Sequence, residues 1–241
     1  MNTVLVTGAG SGLGAVLAQR LAVSGFAVAV HYRSSASGAA KVVAAIEKAG
    51  GQARAFKGII DTRRGAAALV QKVTKWSGGS LDVLINNAGA YTGARVEKLS
   101  EADWLAGFHS TASAALFTTQ AALPFLRKSR RTGGARIVNL GDGNCEQLTA
   151  RTLALGYHVG KVGVVLLTRS VAQAEAKHGI TCNVVSPGFL ETSVGLPPKT
   201  EIPAGRFGTA ADIWNAVEFL LRPESSYLTG SNLRVTGGWA T

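Results

Sequence analysis

The sequence predicts an α/β fold, a doubly wound parallel sheet of about seven strands with helices on both faces. Three observations predict it. Short apolar runs alternate strictly with stretches of helical periodicity, the pattern of repeated strand–helix–strand units. A glycine-rich turn from Gly8 to Gly14 joins the first run to the first helical stretch. No linker-like tract or internal repeat interrupts the 241 residues, so they read as one domain.

Residues 3–7 (Thr-Val-Leu-Val-Thr) are a short apolar run, read as a buried strand. The glycines follow at once, and a helical pattern begins at Ala15. Ala27–Tyr32 is the second strand, and helical periodicity returns over Gly38–Ala49. Ala53–Phe56 reads as a strand, Gly65–Trp76 as a helix and Leu81–Ile85 as the fourth strand. A long helix is predicted over Glu101–Arg127, then a fifth strand over Ala135–Leu140 and a helix over Leu153–Lys177. Thr181–Val185 is the sixth strand. Phe189–Phe207 has three prolines and little periodicity. It reads as a mobile loop over the site, the core of a substrate segment around 188–207. A helix over Ala210–Leu221 and a strand over Asn232–Val235 close the sheet.

Hydrophobic residues make up 46% of the chain, enough for a sizeable core. No run of eighteen apolar residues occurs and the N-terminus moves straight into a strand, so neither a membrane span nor a signal peptide is read. Cys145 and Cys182 are too few for a disulfide framework or a thiolate metal site. His31, His109, His158 and His178 show no ligand spacing, so no metal is expected. A cytoplasmic protein is expected. The net charge is +11, with basic residues gathered at Arg127, Lys128, Arg130, Arg131 and Arg136 around Gly133-Gly134. Without aromatic interleaving this reads as a solvated basic loop and not as a nucleic-acid surface. The positive charge also helps attract a polyanionic cofactor.

Tyr157 and Lys161 lie four residues apart in a helical stretch, hence on one face. An unassisted phenol ionises near pH ~10 and is a poor acid or base at neutrality. An ammonium at ~4 Å, with an effective dielectric of ~20, attracts a phenolate by about 4 kcal/mol before desolvation. The pair is therefore a candidate proton-transfer unit. The turn Gly8, Gly10, Ser11, Gly12, Leu13, Gly14 brings backbone N–H groups toward a diphosphate at a helix N-terminus. The second strand ends His31-Tyr32-Arg33-Ser34, where an acidic residue would bind a ribose 2′-hydroxyl. A guanidinium with hydroxyls there suits a 2′-phosphate instead, which points to NADPH. Asn87, Ala88 and Gly89 follow the fourth strand at its carboxyl end, where ligands sit in open α/β sheets.

Together these stretches resemble the short-chain dehydrogenase/reductase family. Thr7-Gly8-Ala9-Gly10-Ser11-Gly12-Leu13-Gly14, Asn86-Asn87-Ala88-Gly89, Tyr157-x-x-x-Lys161, Ser186-Pro187-Gly188 and Thr229-Gly230…Gly237-Gly238 match in order and spacing over nearly the whole chain. The resemblance implies a Rossmann-type domain of seven strands, a nicotinamide cofactor and a homo-oligomer, tetramer or dimer. It implies that Tyr157 is the general acid and that Lys161 holds the nicotinamide ribose and lowers the tyrosine's pKa. Asn87, Ala88, Gly89, Pro187 and Gly188 join the cofactor set.

Three places depart from the family pattern. Counting along strand five puts Asp142 at the family's serine, whereas counting back from Tyr157 gives Asn144; strand geometry is the stiffer ruler and favours Asp142. Thr111 stands at the asparagine of the fourth helix. Ile59 stands at the adenine-side aspartate, with Asp61 displaced. An ionised Asp142 would oppose charge building on a ketone oxygen, so it favours a protonated acid or a substrate with N–H donors. With Tyr91 as a stacking surface and His31-Tyr32-Arg33-Ser34, the set is similar to pteridine reductases, although those carry an arginine where this chain has Gly12. The expected function is NADPH-dependent reduction of a C=O or C=N small-molecule substrate, a pterin or a 3-oxoacyl or simple carbonyl compound. A catalytically altered NADPH sensor or scaffold is the alternative from another class. It is distinguished by binding without turnover.

Overall fold

The computed structural model describes residues 1–147 and 149–239. Seven strands form one parallel sheet: β1 (Thr3–Val6), β2 (Ala27–Tyr32), β3 (Ala53–Lys57), β4 (Val83–Asn86), β5 (Arg136–Leu140), β6 (Thr181–Pro187) and β7 (Asn232–Val235). The spatial order is β3-β2-β1-β4-β5-β6-β7. The order reverses between β1 and β4, so the carboxyl ends of these two strands open a crevice. The helices are α1 (Gly12–Val23), α2 (Ala36–Lys48), α3 (Arg63–Trp76), α4 (Glu101–Phe108), α5 (Ala114–Leu126), α6 (Leu155–Glu175) and α7 (Ala210–Leu221).

Strand alternation sorts the core into two layers. Val4 and Val6 of β1 pack with Leu17 and Leu21 of α1, Val42 and Ile46 of α2, and Ile213 and Val217 of α7. Leu5 points the other way, toward Leu69 and Val73 of α3 and Leu126 of α5. Each such fully buried side chain contributes about 1.5–3 kcal/mol, which commits both faces of the sheet to helices. At the sheet's centre an amide ladder crosses β4 and β5: Asn86 Nδ2 donates to Asn139 Oδ1 at 2.8 Å, and Asn139 Nδ2 donates to Thr168 Oγ1 at 2.8 Å.

The structure departs from expectation in four places. The predicted long helix over Glu101–Arg127 is interrupted by a π-turn at His109–Ser113, where one widened turn breaks the register between α4 and α5. The start of α1 is Gly12 and not Ala15. The loop predicted to be mobile is pinned at both ends by a Leu190–Gly208 bridge and by Ala204 N–H donating to the Gly237 carbonyl. The basic loop is not simply solvated. Arg136 is fully buried, its guanidinium donating to the carbonyls of Leu220, Gly133, Gly134, Ala135 and Arg222, while Arg131 donates to those of Gly134 and Leu221. These carbonyls include the C-terminal end of α7, the negative end of its dipole. Two of the five basic residues are thus turned to carbonyls of the fold, while Arg127, Lys128 and Arg130 stay exposed.

Candidate active site

The end of β1 is tied to the end of β4. Thr7 Oγ1 accepts from the N–H groups of Asn87 and Ala88 at 3.0 and 3.1 Å, and Asn87 Nδ2 donates to the carbonyls of Thr7 and Gly8 at 2.9 and 3.1 Å. The glycine turn is therefore held by the first asparagine beyond β4. At Gly14 a Cβ would run into Asn87 Nδ2 and lie 2.5 Å from the Gly8 carbonyl oxygen, so only glycine lets α1 start this close. Gly12 has φ +55 and a Cβ there would meet nothing within 4 Å. Ser11, the residue before α1, makes no side-chain cap, whereas Thr62, Ser100 and Thr209 cap α3, α4 and α7. An uncapped N-terminus behind an open glycine turn fits a diphosphate, whose oxygens would satisfy those N–H groups.

A cavity of about 430 Å³ opens in front of this turn. Gly8, Gly10, Ser11, Leu13 and Gly14 line it, with Tyr32, Arg33, Ser34 and His31 from the end of β2 and Asn87, Ala88 and Gly89 from the end of β4. Gly12, Pro187, Gly188, Tyr157 and Lys161 are not in its lining. Gly188 N–H donates to Val235, and the Pro187 carbonyl accepts from Gly143 at 2.7 Å, which ties the end of β6 to the Asp142 segment. Ile59 turns outward, 53% exposed, and Ile60 with Asp61 line the cavity in its stead. Asp61 pairs with the Arg33 guanidinium at 3.1 Å, at the place read for a 2′-phosphate.

His31 is buried under the turn. Its Nδ1 accepts from Gly8 N–H at 3.1 Å, and Nε2–H donates to the Gly58 carbonyl at 3.3 Å. Burial pushes its pKa down to about 4, with the Gly58 bond opposing, so the ring is neutral and both nitrogens are engaged. His31 thus holds the turn and offers a phosphate no positive charge.

Helix α6 opens on Ala154, buried and left-handed at φ 51, a conformation costing a non-glycine residue about 1–2 kcal/mol. Its first turns press against α4 and the π-turn: a Cβ on Gly107 would lie 2.5 Å from Tyr157 N, and one on Gly160 would strike Thr111 Oγ1. Backbone contact of this kind fixes the face carrying Tyr157 and Lys161. Lys161 Nζ sits 5.4 Å from the centre of the Tyr157 ring and donates to the Leu140 carbonyl at 2.6 Å. A Cβ on Gly89 would meet Thr111 Cγ2 at 3.2 Å, Tyr157 Cε2 at 3.4 Å and Lys161 Nζ at 3.8 Å. The end of the Asn-Asn-Ala-Gly stretch and the Tyr–Lys pair thus converge.

The electrostatics correct one expectation. Burial pushes the Tyr157 phenol above its ordinary range, and Asp142, Cys145 and Tyr91 push it further. Lys161 does not reverse this, because its own ammonium is buried and pushed down to about 8, with Asp142 and Cys145 offsetting only part of the loss. Thr111 is buried, and its hydroxyl bonds to the Gly107 and Phe108 carbonyls at 2.7 and 3.1 Å, which satisfies the π-turn. Tyr91 is 47% exposed and stands edge-on to Tyr157, ring centres 5.4 Å apart.

Asp142 meets the residue next to Tyr157 on α6. Its Oδ2 lies 2.8 Å from His158 Nδ1, close enough for an ion pair though poorly aligned as a hydrogen bond. Burial alone would raise the Asp142 carboxyl, but His158, Arg151 and Lys161 outweigh it and hold it below the ordinary value. The His158 ring packs against both Tyr157 and Tyr91. Asn144 lies off this cluster, its carbonyl accepting from Arg151 Nη2 at 2.8 Å. Among the described residues no cluster of histidine, cysteine and acid could hold a metal ion, and no helix is long and apolar enough to cross a membrane.

The family model "short chain dehydrogenase" matches residues 2–199. The chain belongs to the short-chain dehydrogenase/reductase family. It is 34% identical to the 3-oxoacyl-[acyl-carrier-protein] reductase FabG of Staphylococcus aureus, covering 98% of this chain and 97% of the relative. The Vibrio cholerae protein of the same name is 32% identical, over 98% and 96%. A short-chain dehydrogenase/reductase from Serratia marcescens superposes with a TM-score of 0.90 at 30% identity, covering 100% of this chain and 98% of that one. Landomycin C-6 ketoreductase LanV, solved with NADP and rabelomycin, gives 0.88 at 28% identity, over 99% and 96%. The chain is accordingly an oxidoreductase of this family, whose cofactors are nicotinamide dinucleotides, on a seven-stranded Rossmann-type sheet.

Proposed function

We propose that this chain reduces the ketone of a 3-oxoacyl or related small carbonyl substrate with NADPH. The observation that carries the reading is the convergence of Tyr157 and Lys161 on Gly89, which lines the cavity in front of the glycine turn. NADPH over NADH is supported by Arg33, Ser34 and Ser35 at the cavity and by the NADP forms bound in two structural relatives, LanV and a metagenomic blue fluorescent protein. The turn and the first N–H groups of α1 would hold the diphosphate. Asn87 and His31 keep that turn in place, and Lys161 with Gly89 would border the nicotinamide end.

When bound, the dinucleotide would supply a hydride for the carbonyl carbon. Tyr157, held in its protonated form by burial, gives its proton to the oxygen that becomes the alcohol. Lys161 is the nearby cation, and Asp142 orients the substrate. Tyr91 walls the entrance, and the segment 188–207, closed at its ends by the Leu190–Gly208 bridge, selects the substrate. A pterin is the second reading, favoured by the exposed Tyr91 ring and an acceptor at Asp142. The proposal includes a one-domain homo-oligomer, dimer or tetramer, in the cytoplasm, a setting consistent with two unpaired buried cysteines.

An NADPH-consumption screen with ethyl acetoacetate, an acetoacetyl thioester, a quinone and dihydrobiopterin tests this. Turnover of the oxoesters supports ketone reduction, and preference for dihydrobiopterin supports the second reading. Tight NADPH binding without oxidation across the panel would overturn both in favour of a sensor.

A further inference from the structure

We propose that His158 is a positioning residue for the reduction: as an imidazolium it neutralises Asp142, so that a carboxylate at the family's serine place does not oppose negative charge forming on the substrate oxygen. The inference rests on the proposed ketone chemistry at Tyr157 and deepens it.

Three observations support it. Asp142 and His158 are 2.8 Å apart, with both side chains only 16% exposed, so solvent screens the pair weakly. Among the described residues His158 is the one basic side chain in ion-pair contact with Asp142. Lys161 and Arg151 also act on the Asp142 carboxyl, but from outside ion-pair contact, their hydrogen bonds going to the Leu140 and Asn144 carbonyls at 2.6 and 2.8 Å. Third, the His158 ring stands against Tyr157, centres 5.4 Å apart, so its charge state is felt where the proton is transferred.

The other ionisable groups around the pair do not duplicate this role. Tyr91 comes from the segment after β4, and Cys145 lies buried beside Ser186. Glu146 is bound to Arg169 and Asn232. On the side of α4, Asp103 is bound to Ser100, and Arg95 pairs with Glu97. Removing the His158 side chain therefore takes away the cation in direct contact with the carboxylate beside Tyr157.

The test is a double-mutant cycle, H158Q, D142S and the pair together, with H158K as a charge-keeping variant. Each is assayed for NADPH binding by fluorescence and for kcat with ethyl acetoacetate across pH. H158Q is expected to lower kcat roughly tenfold to a hundredfold, with NADPH affinity unchanged. H158K is expected within about threefold of wild type, and H158Q is expected to change kcat less than about twofold in the D142S background. Equal losses from H158Q with and without Asp142, or no loss at all, would overturn the inference. If H158Q fails to bind NADPH, the H158K comparison decides, an inactive folded H158K counting against. Y157F separates the two levels: full activity in Y157F sinks the reductase reading itself, whereas an inactive Y157F with a silent H158Q sinks only this inference.

Discussion

Replacing Gly14 by alanine tests how the cofactor cradle is held. The new Cβ would collide with Asn87 Nδ2 and stand 2.5 Å from the Gly8 carbonyl oxygen, which is backbone and has little room to yield. Relief requires Asn87 to swing away from the Thr7 and Gly8 carbonyls, losing two hydrogen bonds worth about 1 kcal/mol each. Residual overpacking adds about 1–3 kcal/mol. G14A should therefore lose about 3–5 kcal/mol, which for a chain of this size lowers Tm by roughly 10 °C. G12A is the contrast. Its Cβ meets nothing in the protein, so only the left-handed strain of about 1–2 kcal/mol applies, but it stands on the first residue of α1, the end proposed to hold the diphosphate. Thermal unfolding without ligand and NADPH fluorescence titration read the two effects. The expected result is a large Tm loss for G14A and a smaller one for G12A with NADPH binding weakened by at least roughly tenfold. A G14A protein melting within about 2 °C of wild type would refute the packing argument.

Two further predictions concern buried ionisable groups. His31 has its pKa lowered from 6.5 to about 4, so the unfolded chain takes up the proton first. Its contribution, about 3 kcal/mol, is complete above pH 6.5 and is lost as pH falls toward 4; the urea midpoints at pH 7.5 and 4.5 should therefore lie closer together in H31N than in wild type. Lys161 is depressed from 10.5 to about 8, so its charged form destabilises the fold, and the cost is fully present below pH 8. At pH 7, K161M should gain about 2 kcal/mol after the lost Leu140 bond is counted, while losing turnover; a K161M protein less stable than wild type would contradict the desolvation argument.

The sheet and the glycine turn after β1 were legible because they are local. Apolar runs such as residues 3–6 and 27–32 have no soluble alternative, and glycines at fixed offsets mark a turn that side chains would block. The π-turn at His109–Ser113 was hidden because one extra residue in a turn barely disturbs a 3.6-residue repeat. The inward turn of Arg136 was hidden because a charge run looks alike whether its neighbours are water or carbonyl groups. His158 escaped notice for a different reason. It is the neighbour of Tyr157 in the helix, but its partner Asp142 arrives from another segment, sixteen positions earlier in the chain. The same limit applies to the tyrosine's acidity: spacing shows a nearby cation and says nothing of the burial that overrides it.

The central claim is that the Tyr157 phenol delivers the proton when hydride reaches the substrate. Single-turnover absorbance of NADPH with Y157F and ethyl acetoacetate measures this directly. A loss of about two to four orders of magnitude, with NADPH affinity retained, is the predicted result. Oxidation at the wild-type rate would contradict it.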